Sequence, residues 1–274
     1  MLEWATDYFK EHEVPEPRLS IEWLLAYTLD VQRLDLYLQY DRPLSKEERN
    51  TLRPLVKRRS QHEPLQYITG STDFMHAVIE VNDSVLIPRI ETEQMVEIIL
   101  ENHDQEKLKV LDVGTGSGCI PIALKMERPD WEITGIDISE KALETARENA
   151  ERNDVEIGFI QDDLHAPEKV HDYGPFDLII SNPPYVQTEE KSILASQVRD
   201  YEPKQALFVE NMEALYLDLL SMAEDHLKDG GHLYFETHEH HTESLLELFD
   251  DAKWDAHMKK DYSKKPRFLI GRLL

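Results

Sequence analysis

From about residue 107 onward, the chain alternates short apolar runs with stretches in which apolar residues recur every three or four positions. This alternation predicts a parallel sheet with helices on both faces. Five strands are predicted, at 109–113, 132–136, 156–160, 176–180 and 232–236. Helices are predicted near 119–127, 139–152, 211–228 and 241–251, and two edge strands at 254–258 and 267–273.

The first 70 residues have a different pattern, which predicts short helices. Ile21, Leu25 and Leu29 recur at helical spacing. Ser45 precedes Glu48 at the spacing of a capping box, which predicts the start of another helix. Prolines interrupt the region, so we expect a small helical bundle. Such a bundle either stabilises the chain or docks a partner, and the pattern favours neither.

Residues 71–90 have the pattern of a connector. Polar and apolar positions alternate over 78–81, which predicts a short strand or hairpin. The following segment, 86–93, is predicted to open a helix. The sequence therefore predicts three parts: a helical domain (1–70), a connector (71–90) and an α/β domain (91–274).

The charge of the chain narrows the choice of partners. Among its 274 residues are 55 Asp and Glu against 30 Lys and Arg, a formal net charge of −25. A protein that follows a phosphate backbone normally carries a basic patch, so this balance disfavours nucleic acid as the main substrate. An excess of carboxylates equally suits a protein that must stay soluble at high salt.

Cysteine content and the N-terminal residues bear on the compartment. Cys119 is the single cysteine, which excludes an intramolecular disulfide and fits a reducing compartment. The first residues lack the basic and then apolar run of a signal peptide. No apolar stretch approaches the ~20 residues of a membrane span. We expect a cytoplasmic protein without membrane association.

A glycine-rich turn follows the first predicted strand of the α/β domain. It consists of Gly114, Thr115, Gly116, Ser117 and Gly118. Glycine permits positive φ and lets a ligand approach the backbone closely. Dinucleotide-binding folds also begin with such a turn, but with the spacing G-x-G-x-x-G. Asp112 lies just before the turn, where it would repel a pyrophosphate but tolerate a cationic sulfonium ligand such as S-adenosylmethionine.

Acidic residues follow the next two predicted strands. Asp137 ends one of them, where a carboxylate can accept hydrogen bonds from two ribose hydroxyls. Alternatively, it supplies negative charge to the helix that begins after Ser139. Asp163 follows the other strand, where it can accept a hydrogen bond from an adenine amino group. A solvated loop is the competing interpretation for Asp162 and Asp163.

The segment Asn182-Pro183-Pro184-Tyr185 follows the strongly apolar run 176–180. It is therefore predicted at the carboxyl edge of the sheet, where ligands bind in such folds. The Asn182 side-chain carbonyl and the Pro183 backbone carbonyl can each accept one N–H of an amide or exocyclic amine, which aims the nitrogen lone pair at a methyl carbon. Tyr185 can stack on a flat acceptor. A tight loop without chemistry is the competing interpretation.

Several segments together resemble the PrmC/HemK protein-glutamine methyltransferases. They are 112–118, 182–185, and the connector Ile-Pro-Arg-Ile-Glu-Thr-Glu at 87–93. The resemblance extends over most of the chain, through 66–70 and 199–203 into the tail. The Asn-Pro-Pro-Tyr segment is shared with adenine and guanine amino-group methylases of nucleic acids, so the connector is the more specific element.

This resemblance implies a Rossmann-like class I methyltransferase domain with a seven-stranded, mostly parallel sheet, and a small helical domain that docks the substrate. It implies methyl transfer from S-adenosylmethionine to the side-chain nitrogen of the glutamine in the Gly-Gly-Gln motif of peptide-chain release factors. We expect no stable nucleic-acid binding. Ribosomal-protein glutamines and nucleic-acid amino groups remain the alternative acceptors.

Site residues also follow from the resemblance. It implies cofactor contacts at Gly114, Thr115, Gly116, Ser117, Gly118, Asp137, Asp163, Leu164 and Asn182. It implies that Asn182, Pro183, Pro184 and Tyr185 hold the glutamine, with Asn182, Pro183 and Tyr185 in the catalytic role. Leu164 stands where some family members have an aromatic residue against the adenine.

Two further clusters have no role assigned by the motifs. His238, His240 and His241 suggest a metal cluster, but they lack the ligand spacing of one, so we expect a surface loop and no metal. Arg89, Glu91 and Glu93 either shape a lid over the cofactor pocket or pair within a hinge. For the two glutamates we favour a structural role.

Overall fold

The computed structural model describes residues 1–38 and 41–274. Contacts within the chain divide these residues into two compact units. The first comprises Met1–Ser71 and Leu194–Tyr201, and the second comprises Thr72–Ile193 and Glu202–Leu274. Within the described ranges, no helix is long and apolar enough to cross a membrane.

The first unit is helical. Its N-terminal helices are α1 (Leu2–Glu11), α2 (Pro17–Leu29), α3 (Asp35–Leu38), α4 (Lys46–Ser60) and α5 (Leu65–Thr69). The predicted capping box begins α4: the Ser45 hydroxyl accepts from the Glu48 N–H at 3.1 Å, and the Glu48 carboxylate accepts from the Ser45 N–H at 2.7 Å. Apolar side chains from α1, α2, α4 and α5 form one core, including Phe9, Ile21 and Leu52.

A later segment of the chain belongs to this helical unit, which the sequence pattern did not predict. Arg59 of α4 is buried and donates to the Gln197 side-chain carbonyl at 3.1 Å and to the Glu63 backbone carbonyl at 2.8 Å. The Tyr201 hydroxyl donates to the Gln61 carbonyl at 2.7 Å. These contacts join Leu194–Tyr201 to α4 and to the turn after it.

The second unit opens with a two-stranded sheet and a helix. Strands β1 (Ser71–Phe74) and β2 (Ala77–Glu80) pair, and α6 (Ile90–Asn102) follows, as the connector pattern predicted. The remaining helices are α7 (Cys119–Glu127), α8 (Glu140–Arg152), α9 (Ser196–Tyr201, in the first unit), α10 (Lys204–Leu207), α11 (Met212–His226) and α12 (Thr242–Leu246). Short 3₁₀ helices occur at Val170–Asp172 and Thr188–Ser192.

Seven strands form the main sheet, which confirms the predicted fold class. They are β3 (Lys109–Val113), β4 (Glu132–Asp137), β5 (Gly158–Gln161), β6 (Phe176–Ser181), β9 (Leu227–Glu236), β10 (Trp254–Lys260) and β11 (Pro266–Leu273), and their spatial order is β10-β11-β9-β6-β3-β4-β5. Strand β11 runs antiparallel to both of its neighbours, β10 and β9, and the other four neighbouring pairs are parallel. Two short strands, β7 (Val186–Gln187) and β8 (Phe208–Val209), pair in parallel.

Helices cover both faces of this sheet. Neighbouring residues of a strand point to opposite faces, and β9 shows both: the Phe235 ring packs edge-on against Tyr216 of α11, while the Tyr234 hydroxyl lies 2.8 Å from the His103 ring at the end of α6. The chain passes from β3 outward to β4 and β5, and then returns to β6 on the other side of β3. A crevice forms at such a reversal, next to the carboxyl ends of the strands.

Two predicted boundaries were wrong, for local reasons. Strand β9 begins at Leu227 rather than at 232, and its pairing with β6 is irregular there: Phe176 pairs with Leu227, whereas Leu178 pairs with His232. This irregularity hides the alternation of the strand. Helix α12 ends at Leu246 rather than at 251, because tight turns carry the Phe249 ring onto Trp254, 5.6 Å between centroids.

Strand β3 carries a buried charge. Asp112 is fully buried, and the neighbouring Thr115 hydroxyl offsets only part of the cost of that burial. Burial raises the pKa of this carboxyl from 3.8 to about 7. Because the folded-state pKa is raised, the folded chain binds the proton more tightly than the unfolded chain, and Asp112 destabilises the fold increasingly as pH rises from about 4 to about 7.

We therefore predict that Asp112→Asn changes the pH dependence of stability. Relative to the native chain, the free energy of unfolding of the variant should rise by about 2–3 kcal/mol between pH 5 and pH 8, since each unit of pKa difference is worth about 1.4 kcal/mol. Urea unfolding at both pH values measures this. Asp229→Asn, at an exposed position of β9, is the control and should show no such change. A pH-independent difference for Asp112→Asn would contradict the buried, ionised carboxylate.

Candidate active site

A cavity of about 710 Å³ lies at the carboxyl edge of the sheet, at the reversal between β3 and β6. Its walls come from the turn after β3, the end of β4, the loop after β5 and the segment after β6. Residues 83–89 and 203–215 contribute further parts of the wall. All of these residues belong to the second unit.

The glycine-rich turn is held against β4 by its own backbone. The N–H groups of Gly114 and Thr115 both donate to the Ile136 carbonyl at 2.9 Å. Gly114, Gly116 and Gly118 have φ values of +73°, +55° and +77°, a conformation that side chains other than glycine rarely adopt. Gly114, Thr115, Gly116 and Ser117 line the cavity.

Gly118, although predicted to contact the cofactor, is not among the lining residues. It packs on α8, where an added Cβ would lie 3.1 Å from the Ala146 Cβ. Gly135, in the middle of β4, has a matching role that the sequence did not reveal. An added Cβ there would lie 2.8 Å from the Thr115 hydroxyl, so this glycine leaves room for the turn.

Asp137 ends β4 and lines the cavity. One carboxylate oxygen accepts from the Gly116 N–H and the other from the Ser139 N–H, each at 2.9 Å. Burial raises the pKa of Asp137, and these N–H groups oppose that shift. The carboxylate is thus fixed in orientation, and each oxygen keeps a second lone pair for a ligand hydroxyl. The two interpretations of Asp137, ligand contact and start of α8, are compatible in this geometry.

The loop after β5 is organised by Asp162. Its carboxylate accepts from four backbone N–H groups, those of Asp163, Glu168, Lys169 and Val170. Burial raises the pKa of Asp162, but the four donors outweigh it, so the pKa lies below its ordinary value. Asp163 and Leu164 are held at the cavity wall by this loop. Asp162, for which the sequence left a solvated loop and a ligand contact as alternatives, is therefore the residue that shapes the loop.

Asn182, Pro183 and Pro184 also line the cavity. The strand before them is fixed by Ser181, whose hydroxyl donates to the Val113 carbonyl of β3 at 2.8 Å. The Asn182 side-chain NH₂ donates to the Thr92 hydroxyl at 3.0 Å. The side-chain oxygen of Asn182 is buried and has no hydrogen-bond partner within the part of the chain that is described.

Tyr185 lies apart from the other three residues of its segment, because it is not a lining residue of the cavity. Its hydroxyl lies 3.5 Å from the Glu236 carboxylate, and its ring centroid lies 6.0 Å from that of His238. Burial raises the pKa of Tyr185 well above its ordinary value, with Glu236 adding to the shift. The hydroxyl therefore stays protonated. Its predicted stacking on the acceptor stays a prediction.

Two residues near the site were missed by the sequence interpretation: Thr92 in α6 and Glu236 at the end of β9. Both are buried, and the Thr92 hydroxyl donates to the Glu236 carboxylate at 2.7 Å. Burial raises the pKa of Glu236 to about 7, while the Thr92 hydroxyl lowers it. The sequence did offer one signal for Glu236: it is an acidic residue at the carboxyl end of a predicted apolar strand.

The connector residues have structural partners. Arg89 pairs with the buried Glu202 carboxylate at 2.6 Å, and that carboxylate also accepts from the Ile87 N–H at 3.2 Å. Glu93 accepts from the Met75 N–H at 2.8 Å. These contacts give Arg89 and Glu93 a role in holding the entry to α6.

The histidine cluster lies beside Tyr185. The His238 ring centroid lies 5.1 Å from that of His240 and 5.7 Å from that of His241. Among the described residues, no group of three His, Cys, Asp or Glu side chains has the arrangement of a metal site.

The lining residues fit a ligand that is rich in donors. The Asn182 side-chain oxygen is buried and has no partner among the described residues, and Asp137 presents a fixed carboxylate in the same cavity. Glycine backbone at 114 and 116 leaves the turn accessible to a close approach. Acceptors of this kind suit ribose hydroxyls, an ammonium group and an amide N–H.

Solved structures share the fold of the second unit. A methyltransferase from Pyrococcus furiosus matches 73% of this chain and 89% of its own length, with a TM-score of 0.53 and 21% identity. A ribosomal protein L11 methylase from Lactobacillus delbrueckii subsp. bulgaricus matches 69% of this chain and 82% of its own, with a TM-score of 0.50 and 21% identity. At these identities, the similarity concerns the fold alone.

Sequence comparison gives the family. Residues 1–70 match the PrmC N-terminal domain, and residues 90–200 match the methyltransferase small domain. The release factor glutamine methyltransferase of Leptospira interrogans is 38% identical over 98% of this chain and 96% of its own length. The enzyme of the same name from Chlorobaculum tepidum is also 38% identical, over 98% of this chain and 95% of its own length. The chain therefore belongs to the release factor glutamine methyltransferase family, and it is a methyltransferase with S-adenosylmethionine as its cofactor.

Proposed function

We propose that this enzyme methylates the side-chain amide nitrogen of the glutamine in the Gly-Gly-Gln motif of peptide-chain release factors. The observation that carries the proposal is the buried, unpartnered side-chain oxygen of Asn182, a residue that lines the same cavity as the glycine-rich turn. An amide –NH₂ supplies the donor that this oxygen lacks. The names of the Leptospira and Chlorobaculum relatives support the release factor as the substrate.

The cofactor-binding residues in this proposal surround the turn after β3. Bound S-adenosylmethionine supplies an electrophilic methyl group on a sulfonium centre. Gly114, Thr115, Gly116 and Ser117 offer backbone and hydroxyl groups, with Gly118 setting the turn on α8. Asp137 accepts hydrogen bonds from the ribose hydroxyls, Asp163 accepts from the adenine amino group, and Leu164 provides an apolar wall; Asn182 borders both ligands.

The acceptor residues work by orientation. The Asn182 side-chain oxygen and the Pro183 carbonyl each accept one N–H of the glutamine amide, which fixes its plane and directs the nitrogen lone pair at the methyl carbon. Both acceptors stabilise the positive charge that develops on nitrogen. Pro184 stiffens the backbone of the segment. The N-methylated amide cation loses its proton readily, so no strong base is required. Tyr185 contributes through its ring, because its hydroxyl faces Glu236.

Residues 1–70, the N-terminal part of the first unit, are proposed to dock the release factor. Their surface exposes large apolar side chains: Trp4, Trp23, Tyr27, Leu34, Tyr37 and Leu38. Exposed Trp and Tyr are enriched where proteins bind one another. The net charge of −25 favours a partner with a basic surface, since opposite charges accelerate encounter.

The direct test is methyl transfer from labelled cofactor to a purified release factor and to a variant whose Gly-Gly-Gln glutamine is replaced by Ala. We expect label on the native factor and none on the variant. Asn182→Ala should lower kcat by about 100-fold, because an orienting acceptor for the reacting group is lost. Label on neither factor, with cofactor binding intact, would overturn the proposed substrate. Ribosomal proteins and then nucleic acids would be assayed next.

Asp137→Asn should weaken binding of S-adenosylhomocysteine by about 10–100-fold, because hydrogen bonds to a charged acceptor are lost. Calorimetry with S-adenosylhomocysteine and with its 2′-deoxy analogue separates this contact from damage to the turn. The native enzyme should discriminate between the two ligands, and the variant should not. Equal discrimination by both proteins would show that Asp137 does not accept from the ribose.

If the release factor docks on the helical unit, replacing two exposed tryptophans should impair methylation of the whole factor selectively. The variant combines Trp4→Ser and Trp23→Ser, whose native side chains are 58% and 42% exposed. KM for the whole release factor should rise about tenfold with kcat unchanged, as for the loss of an interface aromatic. Methylation of a short peptide with the Gly-Gly-Gln motif should be unaffected. Leu274→Ser, an exposed position of the other unit, is the matched control. An unchanged KM for the whole factor would refute docking at these residues.

A further inference from the structure

Three side chains from distant parts of the sequence form a hydrogen-bonded series beneath the acceptor segment. The Asn182 NH₂ donates to the Thr92 hydroxyl at 3.0 Å, and that hydroxyl donates to the Glu236 carboxylate at 2.7 Å. Thr92 is 2% exposed and Glu236 is 0% exposed. They belong to α6 and β9, whereas Asn182 directly follows β6.

The direction of each hydrogen bond in this series is fixed by the chemistry of its last member. An ionised carboxylate only accepts, so the single hydrogen of the Thr92 hydroxyl must be donated to Glu236. The hydroxyl then has only lone pairs left for Asn182. Consequently it is the NH₂ group of Asn182 that faces Thr92, and the side-chain oxygen is turned away. A flipped amide would place two oxygens against each other with no hydrogen between them.

We propose that Thr92 and Glu236 are positioning residues that set the orientation of the Asn182 amide, and so present its oxygen rather than its NH₂ to the acceptor nitrogen. The inference rests on the proposed function, since it specifies how the acceptor site distinguishes a donor group from an acceptor group. In this orientation the side-chain oxygen of Asn182, a residue that lines the cavity, is buried and has no partner among the described residues.

The other carboxylate oxygen of Glu236 faces the same segment. It lies 3.5 Å from the Tyr185 hydroxyl. The two oxygens of Glu236 therefore contact both ends of residues 182–185, one through Thr92 and one through Tyr185. The backbone carbonyl of Glu236 in turn accepts from Tyr216 of α11 at 2.8 Å, which anchors the carboxylate-bearing residue.

Protonation of Glu236 would remove the constraint on direction, because a carboxylic acid can donate to Thr92 and leave its hydroxyl hydrogen for the Asn182 oxygen. The groups that act on Glu236 are the hydroxyls of Thr92 and Tyr185, the Glu91 carboxylate of α6 and the Arg267 guanidinium of β11; Tyr216 of α11 adds a hydroxyl at its backbone. With the pKa of Glu236 raised to about 7, mainly by burial, this change falls near neutral pH.

The test compares Thr92→Val, which removes the hydroxyl at nearly constant volume, with Thr92→Ser, which retains it. In Thr92→Val, kcat for the release factor should fall about tenfold, because the variant loses a hydrogen bond to the charged Glu236 carboxylate. The affinity for S-adenosylhomocysteine should remain within about twofold of the native value. Thr92→Ser should restore kcat. Thr145 carries a buried hydroxyl on α8. The variant Thr145→Val therefore controls for the general effect of removing a buried hydroxyl.

Two readouts separate positioning from a loss of packing. In the native enzyme, kcat should decrease as pH falls through about 7, and Thr92→Val should lose this dependence. The Asn182 side-chain NH₂ resonances should exchange slowly with solvent in the native protein and in Thr92→Ser, but faster in Thr92→Val. This second readout requires neither substrate nor turnover. Should Thr92→Val fail to fold, Thr92→Ala is measured in the same way.

The outcomes are distinguishable. If the native enzyme does not label the release factor, the proposed function fails. The exchange measurement still decides whether Thr92 and Glu236 orient the Asn182 amide. If the native enzyme labels it and Thr92→Val keeps its kcat, its pH profile and a slowly exchanging Asn182 NH₂, the positioning role is overturned. If Thr92→Val and Thr92→Ser lose activity equally, the effect is one of packing, which also contradicts the proposal.

Discussion

A buried oxygen without a hydrogen-bond partner is the constraint on which the acceptor side of this site depends. Leaving the Asn182 oxygen unpaired among the described residues costs about 1–3 kcal/mol. The fold tolerates this because β6 is paired on both sides and is almost entirely buried, so the backbone at residue 182 cannot relax toward a partner. An incoming amide N–H removes the cost. In the proposed function, the atom that destabilises the free protein therefore favours binding of the acceptor.

Carboxyl groups that are largely removed from water lie near both sets of proposed ligand residues: Asp112 and Asp137 at the glycine-rich turn, and Glu236 beneath the acceptor segment. Asp112, Asp137 and Glu236 all have a pKa raised chiefly by burial. A cationic ligand nearby stabilises the charged form of each and lowers its pKa again. If S-adenosylmethionine binds beside Asp112 and Asp137, as proposed, its positive charge links ligand binding to the stability of the fold.

Much of this arrangement could be predicted because its determinants are local in sequence. The apolar runs predicted all seven strands of the main sheet, and the glycine spacing predicted the turn at 114–118. Asp137, Asp163 and Asn182 were predicted from their positions at strand ends and Leu164 from the family resemblance, and the structure brings them to one cavity. Gly118 and Tyr185 occur in the same motifs, yet one packs on α8 and the other against Glu236. A motif specifies neighbours along the chain, not which side chain faces the ligand.

The remainder depends on contacts between residues far apart in the sequence, which periodicity and spacing do not contain. Thr92 and Glu236 are 144 positions apart, and Arg89 and Glu202 are 113 apart. In the sequence of helix α6, nothing distinguishes Thr92 from any other polar residue next to an apolar stripe. Only the sheet order, which puts β9 beside β6, gives its hydroxyl a carboxylate on one side and an amide on the other. The orientation of the Asn182 amide is thus a property of the tertiary fold, and the Asn-Pro-Pro-Tyr segment alone does not determine it.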